Sequence, residues 1–260
     1  MSVISESLLA IARKPRARYD TKIQLSCINT VRLYYMSVNA VKGNDRTRTR
    51  RADKAERTRQ AILQAASELF AAQGFAATTI SAIAAEADVA AETVYSRFGN
   101  KLALISEILD TAIVGNAPRI DVLDLPEIAA IRAITDQRAQ LARLAHLSRG
   151  ILERTALAHR ILRNSGTADP ALAEFVAKDR QRRHRHQTAY IAMLLDNGPL
   201  REGMNAPDAA AIYGALANPD TYAELTSHRG WSPDHYETWL SQTLTLLLLP
   251  PPPRTTAPTN

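Results

Sequence analysis

In DKAERTRQAILQAASELFAAQGF, residues 53–75, Ile62, Leu63, Ala66, Leu69 and Phe70 recur at the spacing that lines one face of an α-helix. Gly74 follows where a left-handed residue closes a helix. Thr79 stands as an N-cap before a short second helix, whose inner face is Ile80, Ile83, Ala84 and Ala87. Asp88-Val89 interrupts, and a third helix starts near Ala90 or Ala91 with Val94 and Phe98 turned inward. A longer helix over 101–114 buries Leu102, Ile105, Ile108 and Leu109. Two short helices joined by a tight turn, behind an amphipathic one, make a helix-turn-helix arrangement.

Beyond this unit the pattern stays helical. GNAPRIDVLDLP, residues 115–126, reads as a linker because it is rich in turn formers. Helices follow at about 126–146, 148–163, 170–196, 207–228 (broken at Asn218-Pro219) and 233–249. The fold class is therefore all-α, with an N-terminal three-helix helix-turn-helix unit at 53–114 and a larger helical unit at 115–249. Residues 1–52 read as a basic, disordered extension, and 250–260 as a disordered Pro-rich tail. Met36 is an alternative start within the extension.

Charge separates the two ends of the chain. Residues 1–60 hold 14 Lys and Arg against 5 Asp and Glu, whereas residues 61–260 hold 18 against 21. Such asymmetry points to a polyanion or to a solvated tail. Cys27 is the one cysteine, so a disulfide framework or a Cys-based zinc site is excluded, as suits a reducing cytoplasm. No apolar run reaches the length of a membrane span. No phosphate-cradling glycine loop or nucleophile elbow is present, so an enzyme lacks its parts. No cofactor is expected. His184 and His186 are two apart and point to different sides of a helix, which argues against a metal site. Arg180, Arg182, Arg183 and Arg185 read as a solvated helix face.

The stretch AETVYSRFGNK, residues 91–101, crowds hydrogen-bonding side chains onto a small helix. A helix that enters a major groove needs one face packed and the other free for phosphates and base edges. Thr93, Tyr95, Ser96 and Arg97 have the required donors and acceptors, and Lys101 and Thr79 stand where helices begin.

The stretch TTISAIAAEADVAAETVYSRFGNKLAL, residues 78–104, resembles the DNA-binding region of TetR-type transcriptional repressors. The spacing from Thr79 to Lys101 agrees at many positions at once. The segment from Leu200 to Leu249 resembles the dimerisation end of an actinobacterial-style subgroup of the same family. The resemblance implies a homodimer on a near-palindromic double-stranded DNA operator, and a repressor released by a small-molecule effector. It places Tyr95 and Lys101 on the phosphate backbone, Thr79 as a capping Thr, and Thr93 at the family's Thr. Ala91, Glu92, Ser96 and Arg97 occupy positions that set base choice. Arg50 and Arg51, in the run RTRTRRADKAERTR, fit the family's N-terminal arm.

Three positions depart from the family pattern. Asp88 replaces the usual turn Gly, and Asp tolerates a left-handed conformation better than most residues. Ala90 replaces a frequent Ser and leaves the third helix without a side-chain cap. Glu92 either accepts from cytosine or points away from the groove.

For the larger unit the resemblance implies an effector pocket over about 118–205, with His146, Arg149, Phe175 and Tyr190 as candidate contacts. It also implies a dimer interface from the last two helices. Tyr236, Trp239, Leu240, Thr243, Leu244 and Leu247 share one stripe, and Tyr213, Leu216 and Tyr222 supply the facing helix; intramolecular packing is the other reading of that stripe. A DNA-binding regulator or architectural protein controlled by a protein partner, without a small-molecule ligand, is the competing function.

Overall fold

A computed structural model describes residues 48–114, 120–164 and 170–251. The first helix, α1 (Arg48–Ala77), is broken at Gly74, whose φ of 85° and ψ of 162° end its regular part. Ile62, Leu63, Ala66 and Phe70 are buried along one stripe, while Leu69 is half-buried at its edge. Helix α2 (Ile80–Glu86) starts at Thr79, whose hydroxyl accepts from the Ala82 N–H at 3.1 Å. Asp88 then turns the chain at φ 53°, the one positive φ outside glycine among the described residues. Helix α3 (Ala91–Phe98) has no side-chain cap, as Ala90 dictates, and closes at Gly99 with φ 75°. Asn100 accepts from the Ala103 N–H at 2.9 Å and so starts α4 (Lys101–Val114). In α4 the buried set is Leu104, Ile105, Ile108 and Leu109; Leu102, expected inside, is half-buried because the stripe falls one position away from it.

The expected linker is partly core. Val122 opens a 3-10 turn (Val122–Asp124), capped by Asp121, and is 5% exposed. Helix α5 (Pro126–Arg132) is short, and α6 (Gln137–Asn164) runs 28 residues. The division therefore falls at 133–136, not near residue 147. Asp136 accepts from the Ala139 N–H at 2.7 Å and starts α6, while Gly150 is carried inside the helix. Helix α7 (Pro170–Leu195) follows, then α8 (Ala206–Leu216) and α9 (Pro219–Ala223), with Asn218 capping α9 as the Asn-Pro break requires. A π-helical turn (Glu224–His228) leads to α10 (Pro233–Leu248).

Helix α6 is the central strut: α1 and α4 pack on it from the N-terminal side, α10 from the other, and α8 packs on α7. The core of the larger unit is built from Leu141, Leu144, Ile191, Leu194, Tyr213 and Tyr236, with Leu240, Leu244 and Leu248 from α10. Each fully buried Leu contributes about 1.5–3 kcal/mol. This corrects the expected interface. Tyr213, Tyr222, Tyr236, Leu240 and Leu244 are 5% exposed or less within their own subunit, since one side of the α10 stripe packs on α6. Leu216, Trp239, Thr243 and Leu247 are half-buried, and Leu246 beside them is 66% exposed. No described helix is long and apolar enough to cross a membrane.

Candidate nucleic-acid interface and the cavity behind it

Helix α3 is two-faced at close range. Val94 is fully buried and Phe98 half-buried, which pins the helix against α2 and α4. Opposite them Glu92, Tyr95, Ser96 and Arg97 are exposed, Tyr95 by 56%, with Ala91 and Thr93 at the margin. The Tyr95 ring is thus not used in packing its own subunit. Ser96 donates to the Thr93 carbonyl at 3.1 Å, so its hydroxyl retains acceptor capacity outward. Arg97 and Glu92 form no ion pair among the described residues. Glu92 lies in the first turn of α3, where the helix dipole favours an anion.

Lys101 is not the free cation the sequence suggests. Its Nζ donates to the carbonyl oxygens of Phe75 at 2.7 Å and Ala76 at 3.3 Å, and it lies 4.7 Å from the Phe75 ring centroid. It fastens the end of α1 to the start of α4. Arg59, in the basic run, is likewise engaged, with Glu56 at 2.9 Å and Glu107 of α4 at 2.8 Å. The side chains of Arg50 and Arg51 lie outside the described residues.

Behind this unit, α4, α6, α7, the end of α8 and the 120–124 turn line a half-open cavity of about 70 Å³. Its apolar wall includes Ile113, Val122, Ile151 and Leu152; its polar wall includes Ser148, His159, Asp179, Arg182, Arg183 and His186. Tyr190 and Tyr213 meet edge-on across it, with ring centroids 5.6 Å apart. The Tyr213 hydroxyl and Ser148 Oγ are 2.8 Å apart. Burial raises both phenols above their usual pKa. A neighbouring space of about 240 Å³ shares Ile113, Val122, Arg182 and His186 and adds Asp110, Ile120 and Asp121.

The ionic groups here are chained together. Arg182 meets Asp110 of α4 at 2.8 Å and Asp179 at 2.9 Å, and Arg183 reaches Asp179 at 3.1 Å. Burial lowers the pKa of Arg182, but its two carboxylates outweigh that and raise it. Asp121 meets His186 at 2.8 Å and Arg185 at 3.0 Å. Burial raises the Asp121 pKa; the Leu123 N–H, His186 and Arg185 outweigh it and hold the carboxyl below its usual range. Burial lowers the pKa of His186 despite Asp121, and that of His159 to about 4. Arg154 donates to the Ala112 and Ile113 carbonyls at 2.9 and 3.2 Å, at the C-terminal end of α4.

Of the four effector contacts expected from sequence, Tyr190 alone lines this cavity. His146 and Arg149 are tied instead to Glu237 of α10, each at 3.0 Å, and Arg149 also to Glu153 and Asp234. Phe175 is half-buried elsewhere on α7. The arginines of α7, read as a solvated face, are divided: Arg180 is exposed, whereas Arg182 and Arg183 form the cavity wall. Sequence reading missed His159, Asp179 and His186; for the last two the signal was the polar run of α7 falling on the same face as Leu172 and Tyr190.

Residues 62–108 match the family of bacterial regulatory proteins called the tetR family. The fold is similar to that of NalD, the secondary repressor of the MexAB-OprM multidrug efflux pump in Pseudomonas aeruginosa. That likeness has 24% identity, covers 76% of this chain and 98% of NalD, and has a TM-score of 0.60. It is also similar to SmeT in its triclosan complex, at 18% identity over 78% of this chain and 99% of SmeT, TM-score 0.59. The MbdR regulator from Azoarcus sp. CIB is similar at 21% identity over 72% and 96%, TM-score 0.55. No functionally curated protein matches the chain.

Proposed function

We propose, on the premise that the chain is a DNA-binding regulator of the tetR family, that it is a transcriptional repressor released from a near-palindromic operator by a small molecule. The observation that carries this reading is α3, which buries Val94 completely while offering Tyr95, Ser96 and Arg97 to solvent. Two such helices, one from each subunit of a homodimer, read half-sites about one DNA turn apart. The partly exposed strip of α10 around Trp239, Thr243, Leu246 and Leu247, with Leu216 of α8, supports the pairing surface.

The cavity supports release by a ligand. At about 70 Å³ its inner part has room for a few waters, each taking roughly 30 Å³ in the liquid. A larger molecule that reaches in from the adjoining space of about 240 Å³ presses on the walls made by α4 and α7. It therefore binds better to a shape in which α4 has moved, and α4 packs against α3. Binding free energy that depends on shape is what couples two sites. SmeT has been seen with triclosan, which supports a small molecule over a protein partner as the releasing agent.

The test is fluorescence anisotropy of the full chain on DNA from its own upstream intergenic region, over a salt series, beside a scrambled duplex. Sequence-selective binding lost in a Tyr95→Ala, Arg97→Ala variant is the expected result. Equal, salt-sensitive binding to both duplexes by both proteins would leave charge alone touching DNA and sink the reading.

A further inference from the structure

Two carboxylates share the guanidinium of Arg182, and they differ in their access to water. Asp179 has a side chain 5% exposed and also meets Arg183. Asp110 has a side chain 32% exposed and meets only Arg182 among the described residues. Removing Asp179 from the pair would strand a buried charge. Asp110 can turn into solvent at small cost. The Nη1 position of Arg182, 2.8 Å from Asp110, is therefore the exchangeable one.

That position lies where the inner and outer spaces adjoin. Two further basic side chains line the inner space. Arg183 Nε and His186 Nε2 are buried, and although each is near a carboxylate, neither makes an aligned hydrogen bond. Deeper in, Ile151, Leu152 and Tyr190 offer an apolar bed. A cation finds no comparable partner, because Asp179 and Asp121 are each held by two basic side chains.

We propose that this compartment binds a small organic acid, its carboxylate taking the place of Asp110 on Arg182 and its apolar body lying against Ile151, Leu152 and Tyr190. The assignment rests on the effector reading above and names the effector's class. Charge-assisted N–H···O contacts to a planar guanidinium give the acid its head-group recognition. Exchange at Arg182 removes the ion pair between α7 and α4, so occupancy of the cavity and the position of α4 become linked.

The experiment is calorimetric titration of the full chain with monocarboxylates from acetate to octanoate and with benzoate, beside benzamide, octanol and choline. Each compound is also tested for release of a duplex that the chain selects from a random library. Carboxylates with apolar bodies are expected to bind and the neutral isosteres to bind about tenfold more weakly or not at all. Asp110→Asn removes the competitor and is expected to tighten benzoate or octanoate binding by about tenfold, and Arg182→Gln to weaken it by at least about as much. Circular dichroism melts establish that both variants are folded. Equal affinity for benzamide, unchanged affinity in Asp110→Asn, or no carboxylate binding overturns the proposal. If octanol or choline binds and releases DNA, the acid fails while the effector reading stands. If no compound of any charge class binds a chain that holds its operator, both fail.

Discussion

The ammonium of Lys101 lies 2.7 Å from the carbonyl oxygen of Phe75 and 4.7 Å from the centroid of the same residue's ring. A cation at the start of α4 faces the positive end of that helix dipole, a poor place for it alone. The free carbonyls where α1 ends at Gly74 compensate, and two orphan groups satisfy one another. Lys101→Met keeps the apolar stem over Phe75 and removes the charge. It is expected to lower stability by about 1–2 kcal/mol, read as a drop in urea midpoint. Binding to every duplex should fall together, because α3 is held between α2 and α4. Lost DNA binding at an unchanged midpoint would return Lys101 to a direct phosphate role.

The third helix has a replaceable weakness. Ala90 leaves the start of α3 without a side-chain acceptor, although its backbone already has the extended φ of −69° and ψ of 145° that a cap needs. Ala90→Ser is expected to add about 0.5–1 kcal/mol. Slower amide hydrogen exchange in residues 92–94 than in the parent chain would show where the gain arises. At Asp88 the φ of 53° makes Gly the relaxed choice, and Asp88→Val is expected to cost more than about 1 kcal/mol. A neutral outcome for the valine variant would mean that the turn has rearranged.

Much of this N-terminal unit was legible because its signals are local. Thr79, Asp88, Ala90 and Gly99 each state a backbone conformation within a few residues of themselves. The Asn218-Pro219 break was readable for the same reason. The boundary of α5 and α6 was not, since Gly150 resembles a stop, while packing on the surrounding helices carries it. The cavity was less legible still. Ile113, His159 and Arg182 line it from three helices, and periodicity says which residues share a face but not which faces meet. Tyr236 and Leu244 show the same limit. An apolar stripe on α10 requires cover, and the cover is α6 of the same chain.

His159 makes stability depend on pH. Burial holds its pKa at about 4, below the ordinary 6.5; Asp179 and Asp220 act to raise it, and Arg183 and Arg163 to lower it. The unfolded chain therefore binds the proton first as pH falls. Its stabilising contribution is complete above about pH 6.5 and is lost progressively from there down to about pH 4. The slope approaches at most about 1.4 kcal/mol per pH unit from this one group. Urea midpoints between pH 7 and pH 4.5 should fall less steeply in His159→Gln than in the parent chain. Parallel curves would place the acid sensitivity elsewhere.

Leu244 and Leu246 stand two residues apart on α10 and face opposite surroundings, the first fully buried and the second 66% exposed. Leu244→Glu puts a charge into the core of the subunit and is expected to prevent folding. Leu246→Glu meets only solvent in one subunit and should leave the melting curve of an isolated subunit within about 0.5 kcal/mol. In a homodimer paired through α10, the same charge is desolvated against the partner helix. Sedimentation velocity is then expected to show the parent chain as a dimer and Leu246→Glu shifted toward monomer by about tenfold or more in dissociation constant. Trp239, half-buried on the same strip, supplies a second readout, since its fluorescence should shift to the red as the dimer separates. A Leu246→Glu protein that stays dimeric would move the interface off this strip and onto another surface.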